Sequence, residues 1–99
     1  MKKYTWEINE PEWDDEKDEP TGKEIAHTVS LECSTLTGKA IITIDGDSFD
    51  ISAKPFSLKG TSQMFRLGSM AALVVFPKKG EPDIAIDGKL IHSGLPYQS

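Results

Sequence analysis

The sequence predicts an all-β domain, an antiparallel β-sandwich of about eight short strands, on three observations. Two Asp-Gly pairs, Asp45-Gly46 and Asp87-Gly88, each sit between apolar runs, the strongest short-range hairpin signal a sequence carries. Eight glycines and six prolines in 99 residues favour a turn-rich chain. Elsewhere apolar side chains recur with a period of two, and no helical period emerges.

Taken in order, "KYTWEI" places Tyr4, Trp6 and Ile8 on one side and Lys3, Thr5 and Glu7 on the other, as a half-buried strand does. The next segment, "NEPEWDDEKDEPTGK" over 9–23, holds seven Asp and Glu residues, two prolines and no period. It reads as a long acidic loop and the most mobile part of the chain. "IAHTVSLEC" then sets Ile25, His27, Val29, Leu31 and Cys33 against Ala26, Thr28, Ser30 and Glu32, a second half-buried strand.

The first hairpin can be tested by register. With Asp45-Gly46 at the centre of a type I′ turn, Ile44 faces Asp47, Thr43 faces Ser48, Ile42 faces Phe49, Ile41 faces Asp50 and Ala40 faces Ile51. One side then carries Ala40, Ile42, Ile44, Phe49 and Ile51, with Asp47 at the tip; the other carries Lys39, Ile41, Thr43, Ser48 and Asp50. A misplaced turn would not sort the residues into an apolar and a wet face. A turn at Asp87-Gly88 likewise pairs Ile86 with Lys89, Ala85 with Leu90 and Ile84 with Ile91.

Between the hairpins, "PFSL" and "QMFRLG" read as two strands bent apart at Gly60, with Phe56, Leu58, Phe65 and Leu67 assigned to the core. "MAALVVF" is apolar throughout, as a central strand covered on both faces would be, and Pro77, Lys78 and Lys79 close it off against aggregation.

A chain of this length suits one domain, 1–99, with the acidic loop at 9–23. A formal net charge of -5, without a Lys/Arg stripe, argues against nucleic acid as a partner. The two lysines at the start have no apolar run behind them, and nowhere do 18 apolar residues follow one another, so neither export nor a membrane partner is expected. Cys33 is the sole cysteine; it forms no internal disulfide and fits a reducing, cytoplasmic setting.

Several stretches together, "WEI", "HTVSLECSTLTGKAIITIDG", "FSLKGTSQMFRLG" and "IAIDGKLI", resemble one domain of the Fas apoptotic inhibitory molecule family. The order and spacing of these motifs cover nearly the whole chain apart from Asn9 to Lys23. The resemblance implies an antiparallel β-sandwich without catalytic residues, in a family that acts through protein contacts in cell survival and in limiting aggregation. Two departures separate this chain from the pattern: animal members carry two such domains, and the acidic insertion is foreign to it.

Each candidate for chemistry has a structural reading beside it. An EF-hand-type loop starting at Asp45 would need Gly at its sixth position and Glu at its twelfth, where Asp50 and Phe56 stand; Asp45, Asp47 and Asp50 read as turn and strand residues. His27 lies on an apolar face and reads as a core histidine bonded to backbone. Cys33, six residues further along the same strand, lies roughly 20 Å from it, too far for a shared reaction centre. Cys33 reads as a buried thiol. Two histidines, His27 and His92, would need carboxylates to complete a zinc site, and no phosphate loop, H-E-x-x-H or G-x-S-x-G occurs. No cofactor, metal or catalytic residue is assigned.

Trp13, flanked by Glu12, Asp14 and Asp15, is the one feature pointing at a site: it either folds back onto the sandwich or stands out as an interface anchor. The expected function is a non-enzymatic, monomeric protein-interaction module. The alternative is a module binding a small ligand, sugar or peptide, with Trp6, Trp13 and Tyr97 as stacking residues.

Overall fold

The computed structural model describes residues 1–91, so His92 and Tyr97 lie outside it. Eight strands are found among the described residues: β1 (Lys2–Asp14), β2 (Glu19–Cys33), β3 (Ala40–Ile44), β4 (Asp47–Asp50), β5 (Thr61–Leu67), β6 (Met70–Phe76), β7 (Asp83–Ile86) and β8 (Lys89–Leu90). They form two four-stranded antiparallel meanders, ordered β1-β2-β3-β4 and β5-β6-β7-β8. Each strand pairs with its neighbour in sequence, because every connection within a sheet is a short turn.

Alternation along the strands builds the core between the sheets. Ile8, Val29, Leu31 and Ile42 from the first sheet pack with Leu67, Val74, Phe76 and Ile84 from the second. Val29, Leu31, Leu67, Val74 and Ile84 retain no accessible surface. The residues that alternate with them, Thr28 and Glu32 for instance, face solvent.

Both Asp-Gly turns have the expected register. Ile44 faces Asp47 and Ile42 faces Phe49 in the first; Ile86 faces Lys89 and Ala85 faces Leu90 in the second. Asp45 and Gly46 have φ of 49° and 91°, Asp87 and Gly88 50° and 81°, the left-handed pair a type I′ turn demands.

Four expectations are corrected. Residues 9–23 are not a loop: β1 and β2 stay paired from Lys2↔Cys33 out to Asp14↔Glu19, with one register shift between Pro11 and Trp13. Proline is tolerated there because the ribbon has two open edges and a bulge. "PFSL" is turn rather than strand, and Phe56, at φ 63°, turns its ring to solvent while Leu58 alone fills the core. Phe49 is 53% exposed, since β4 is an edge strand over which the second sheet does not reach. β6 is buried on one face and incompletely covered on the other, where Ala71 is exposed and Leu73 half-buried.

The β1–β2 hairpin outruns the sheet. β3 pairs with β2 only from Val29 to Cys33, so from Pro11 to Glu24 the hairpin is a two-stranded arm. The Cα radius of gyration, 14.6 Å, exceeds the roughly 13 Å of a compact chain this long, as a protruding arm requires.

Candidate functional site

Three features carry exposed or chemically active groups: the arm, a polar chain at its root with a buried Glu10–His27 centre, and a cleft at one open side of the sandwich.

The arm ends in a turn over 15–18, closed by the Asp14 carboxylate, which accepts from the amides of Glu16 at 3.0 Å and Lys17 at 3.3 Å. Trp13 is 51% exposed and does not fold back onto the sandwich. Glu12 and Asp14 flank it, half-buried, and Asp15 opens the turn. Over 11–24 seven acidic residues meet two lysines, so the arm carries the whole net charge of -5 and the remainder is balanced. The structure brings Trp13, Glu12, Asp14 and Asp15 together at the tip of a paired two-stranded ribbon.

Where the arm joins the sheet, four side chains form a continuous hydrogen-bonded chain. The parity of β1 that turns Tyr4, Trp6 and Ile8 inward also turns Glu10 inward, leaving it 5% exposed. On β2, His27 is 7% exposed. His27 Nε2 lies 3.0 Å from Glu10 Oε1 and Nδ1 lies 2.7 Å from Asp45 Oδ2, so the ring is held between two carboxylates and, when protonated, donates to both. The backbone-bonded histidine expected from sequence is thereby corrected; burial on an apolar face is right, but the partners are acids. Asp45 Oδ1 accepts from the Thr28 amide at 2.9 Å, which ties the hairpin turn to β2. From the second sheet, the Ser69 amide donates to Glu10 Oε2 at 2.9 Å and the Ser69 hydroxyl donates to the same oxygen.

The electrostatics follow from these bonds. The Ser69 hydroxyl, His27 and the Ser69 amide lower the Glu10 carboxyl from 4.5 to about 2. Bonds to Asp45 and then Glu10 raise His27 above its ordinary 6.5, outweighing the opposing effect of burial. Bonds from His27 and the Thr28 amide lower Asp45 below 3.8. Every polar end in the chain is occupied, and burial leaves no side-chain donor or acceptor unpaired among the described residues. Both His27 nitrogens are engaged by carboxylates, and the Ser69 hydroxyl donates to Glu10. Among the described residues no cluster of three or more His, Cys, Asp or Glu side chains is disposed to hold a metal ion.

Sequence reasoning missed Glu10 and Ser69. The signal for Glu10 was present, an acid continuing the apolar parity of β1, but it fell inside a stretch read as loop. Ser69 sits in the two-residue Gly68-Ser69 turn between β5 and β6, and nothing local pairs it with a residue 59 positions away.

The third feature is a cleft of about 560 Å³ between the edge strands β4 and β5. Ile42, Ile44, Phe49, Phe65 and Val74 supply apolar wall, and Asp47 and Arg66 stand on opposite rims. On the far side of the sandwich Tyr4 and Trp6 stack with ring centroids 6.1 Å apart beside Glu81, Pro82 and Asp83. Of the stacking residues considered from sequence, Trp6 and Trp13 therefore lie in different places.

No family model, curated protein or solved structure matches the chain. Its functional reading rests on its own residues. Among them, no helix is long and apolar enough to cross a membrane.

Proposed function

We propose that this chain is a non-enzymatic protein-interaction module that acts as a monomer in the cytoplasm and contacts its partner through the β1–β2 arm. The observation that carries the reading is Trp13, half exposed at the tip of a ribbon that holds the net charge of the whole molecule. A large aromatic on a charged, ordered projection is the arrangement that supplies an interface anchor with a polar rim. The complementary partner surface is basic, with an apolar pocket for the indole. A committed His27 and Ser69 support the absence of catalysis, and the resemblance to the Fas apoptotic inhibitory molecule family points to protein contacts as well.

The alternative, a small-ligand module, is favoured by the apolar cleft between β4 and β5. Affinity capture with the native chain and with Trp13→Ala separates the two. Partners recovered by the native chain, lost with Trp13→Ala and released as salt rises support the arm; partners indifferent to Trp13 and to salt refute it.

A further inference from the structure

The open side of the sandwich between β4 and β5 has a feature that the arm does not explain. Both walls of the cleft are sheet edges. The Gly68-Ser69 turn makes Leu67 and Met70 a hydrogen-bonded pair, and antiparallel pairing alternates, so the backbone N–H and C=O groups of Arg66, Met64 and Ser62 point away from β6. On β4 the same rule, counted from Asp47 opposite Ile44, turns Ser48 and Asp50 away from β3. The β4 edge is short and guarded: it spans four residues with an acid at each end, and Asp50 folds onto the Ser52 amide at 2.8 Å. β5 is seven residues long, carries one charge and exposes Met64 to 69%. Its Met64 carbonyl is covered only by the Gln63 side-chain amide at 3.3 Å, a contact that an incoming backbone N–H replaces. An unguarded edge of this length beside an apolar cleft is a template for strand pairing.

We propose that the free edge of β5 binds an extended peptide segment as an added strand. Its alternate side chains are apolar and enter the cleft against Phe49 and Phe65, while an acidic side chain meets Arg66 and a basic one meets Asp47. Charge selects this occupant, because Asp47 and Arg66 stand on opposing rims, both exposed and without an ion-pair partner among the described residues. Backbone geometry selects a strand over a small molecule: outward-pointing groups recur every second residue, roughly 6.8 Å apart, and a peptide repeats at that interval. A second copy fits less well. Antiparallel pairing of β5 with itself about Met64 sets Arg66 against Ser62 and supplies neither charge.

Strand addition at the β5 edge does not require the arm. The full chain is used to select from a displayed library of random peptides, and enriched sequences are synthesised with a fluorescent label for anisotropy. Enriched peptides should share apolar residues at alternate positions with one acid and one base. N-methylation of alternate peptide amides should abolish binding, and Arg66→Glu should weaken it about tenfold, with recovery when the peptide acid is changed to lysine. Trp13→Ala should leave it unchanged. Failure to enrich any peptide, indifference to N-methylation or to Arg66→Glu, or sedimentation showing a dimer that occupies the β5 edge would overturn the proposal. Loss of binding with Trp13→Ala would move the peptide site to the arm, overturning the cleft while leaving the interaction module intact.

Discussion

Glu10 and Ser69, 59 residues apart, join the two sheets through one carboxylate: Oε2 accepts from the Ser69 amide at 2.9 Å while Oε1 accepts from His27 at 3.0 Å. The contact leaves no room for a side chain at Gly68. A Cβ there would collide with Glu10 Oε1, lie 2.9 Å from its Cδ and 3.0 Å from His27 Nε2, and would stand at φ 63°. Gly68→Ala should therefore destabilise the domain by about 3 kcal/mol, combining left-handed strain with displacement of the carboxylate. Equilibrium urea unfolding measures it; a loss below about 0.5 kcal/mol would mean that Glu10 can retreat freely.

Stability should peak in mildly acidic solution. His27 is raised in the fold, so its contribution is complete below its unfolded value near 6.5 and is lost as pH rises through the folded value. Glu10 is lowered, so its contribution is complete above about 4.5 and disappears as pH falls through about 2; Asp45 behaves alike from 3.8 downward. The melting temperature should be highest between about 4.5 and 6.5 and decline on the alkaline side, and His27→Gln should flatten that decline. An alkaline decline unchanged in His27→Gln would show that another group controls it.

At the first hairpin, Gly46 has φ 91° with open space around it, so conformation alone opposes a side chain. Gly46→Val should cost about 1 kcal/mol or more, and Gly46→Asn much less, because Asn tolerates the left-handed region. Equal losses for the two would point to contacts rather than backbone.

Amide exchange should show a gradient along the arm. A two-stranded ribbon without a covering layer is marginal, so protection should fall from Thr28 outward to the 15–18 turn. Replacing 12–23 by a two-residue turn should keep the sandwich folded, whereas any deletion that begins at Asn9 removes Glu10 and should unfold it. Uniform protection along the hairpin would contradict this.

Cys33 should resist thiol reagents in the native protein. It is 5% exposed, and burial raises its thiol above the ordinary value, leaving little thiolate. Labelling as fast as in the unfolded chain would show that the β2 end opens freely.

Much of this molecule is local, and the local part was legible. Asp-Gly at 45–46 and 87–88 set both hairpin registers because a two-residue turn leaves one alignment of the flanking strands. The period of two in Val29, Leu31 and Cys33 put those residues in the core because neighbours on a strand face opposite ways. Trp13 with Glu12, Asp14 and Asp15 was recognisable as a cluster in the same way, by adjacency in sequence. What the 9–23 segment does with its backbone was not legible, since cross-strand pairing from Lys2↔Cys33 to Asp14↔Glu19 stabilises a ribbon that composition alone assigns to a loop. Phe49 and Phe56 show the same limit. Apolarity puts a ring inward only if another sheet arrives to cover it, and over β4 none does. The hydrogen-bonded chain from Ser69 through Glu10 and His27 to Asp45, and the cleft between β4 and β5, exist because two separately paired sheets meet face to face. Tertiary packing alone decides which side chains from the two meet, because no residue spacing within either sheet encodes where the other will lie.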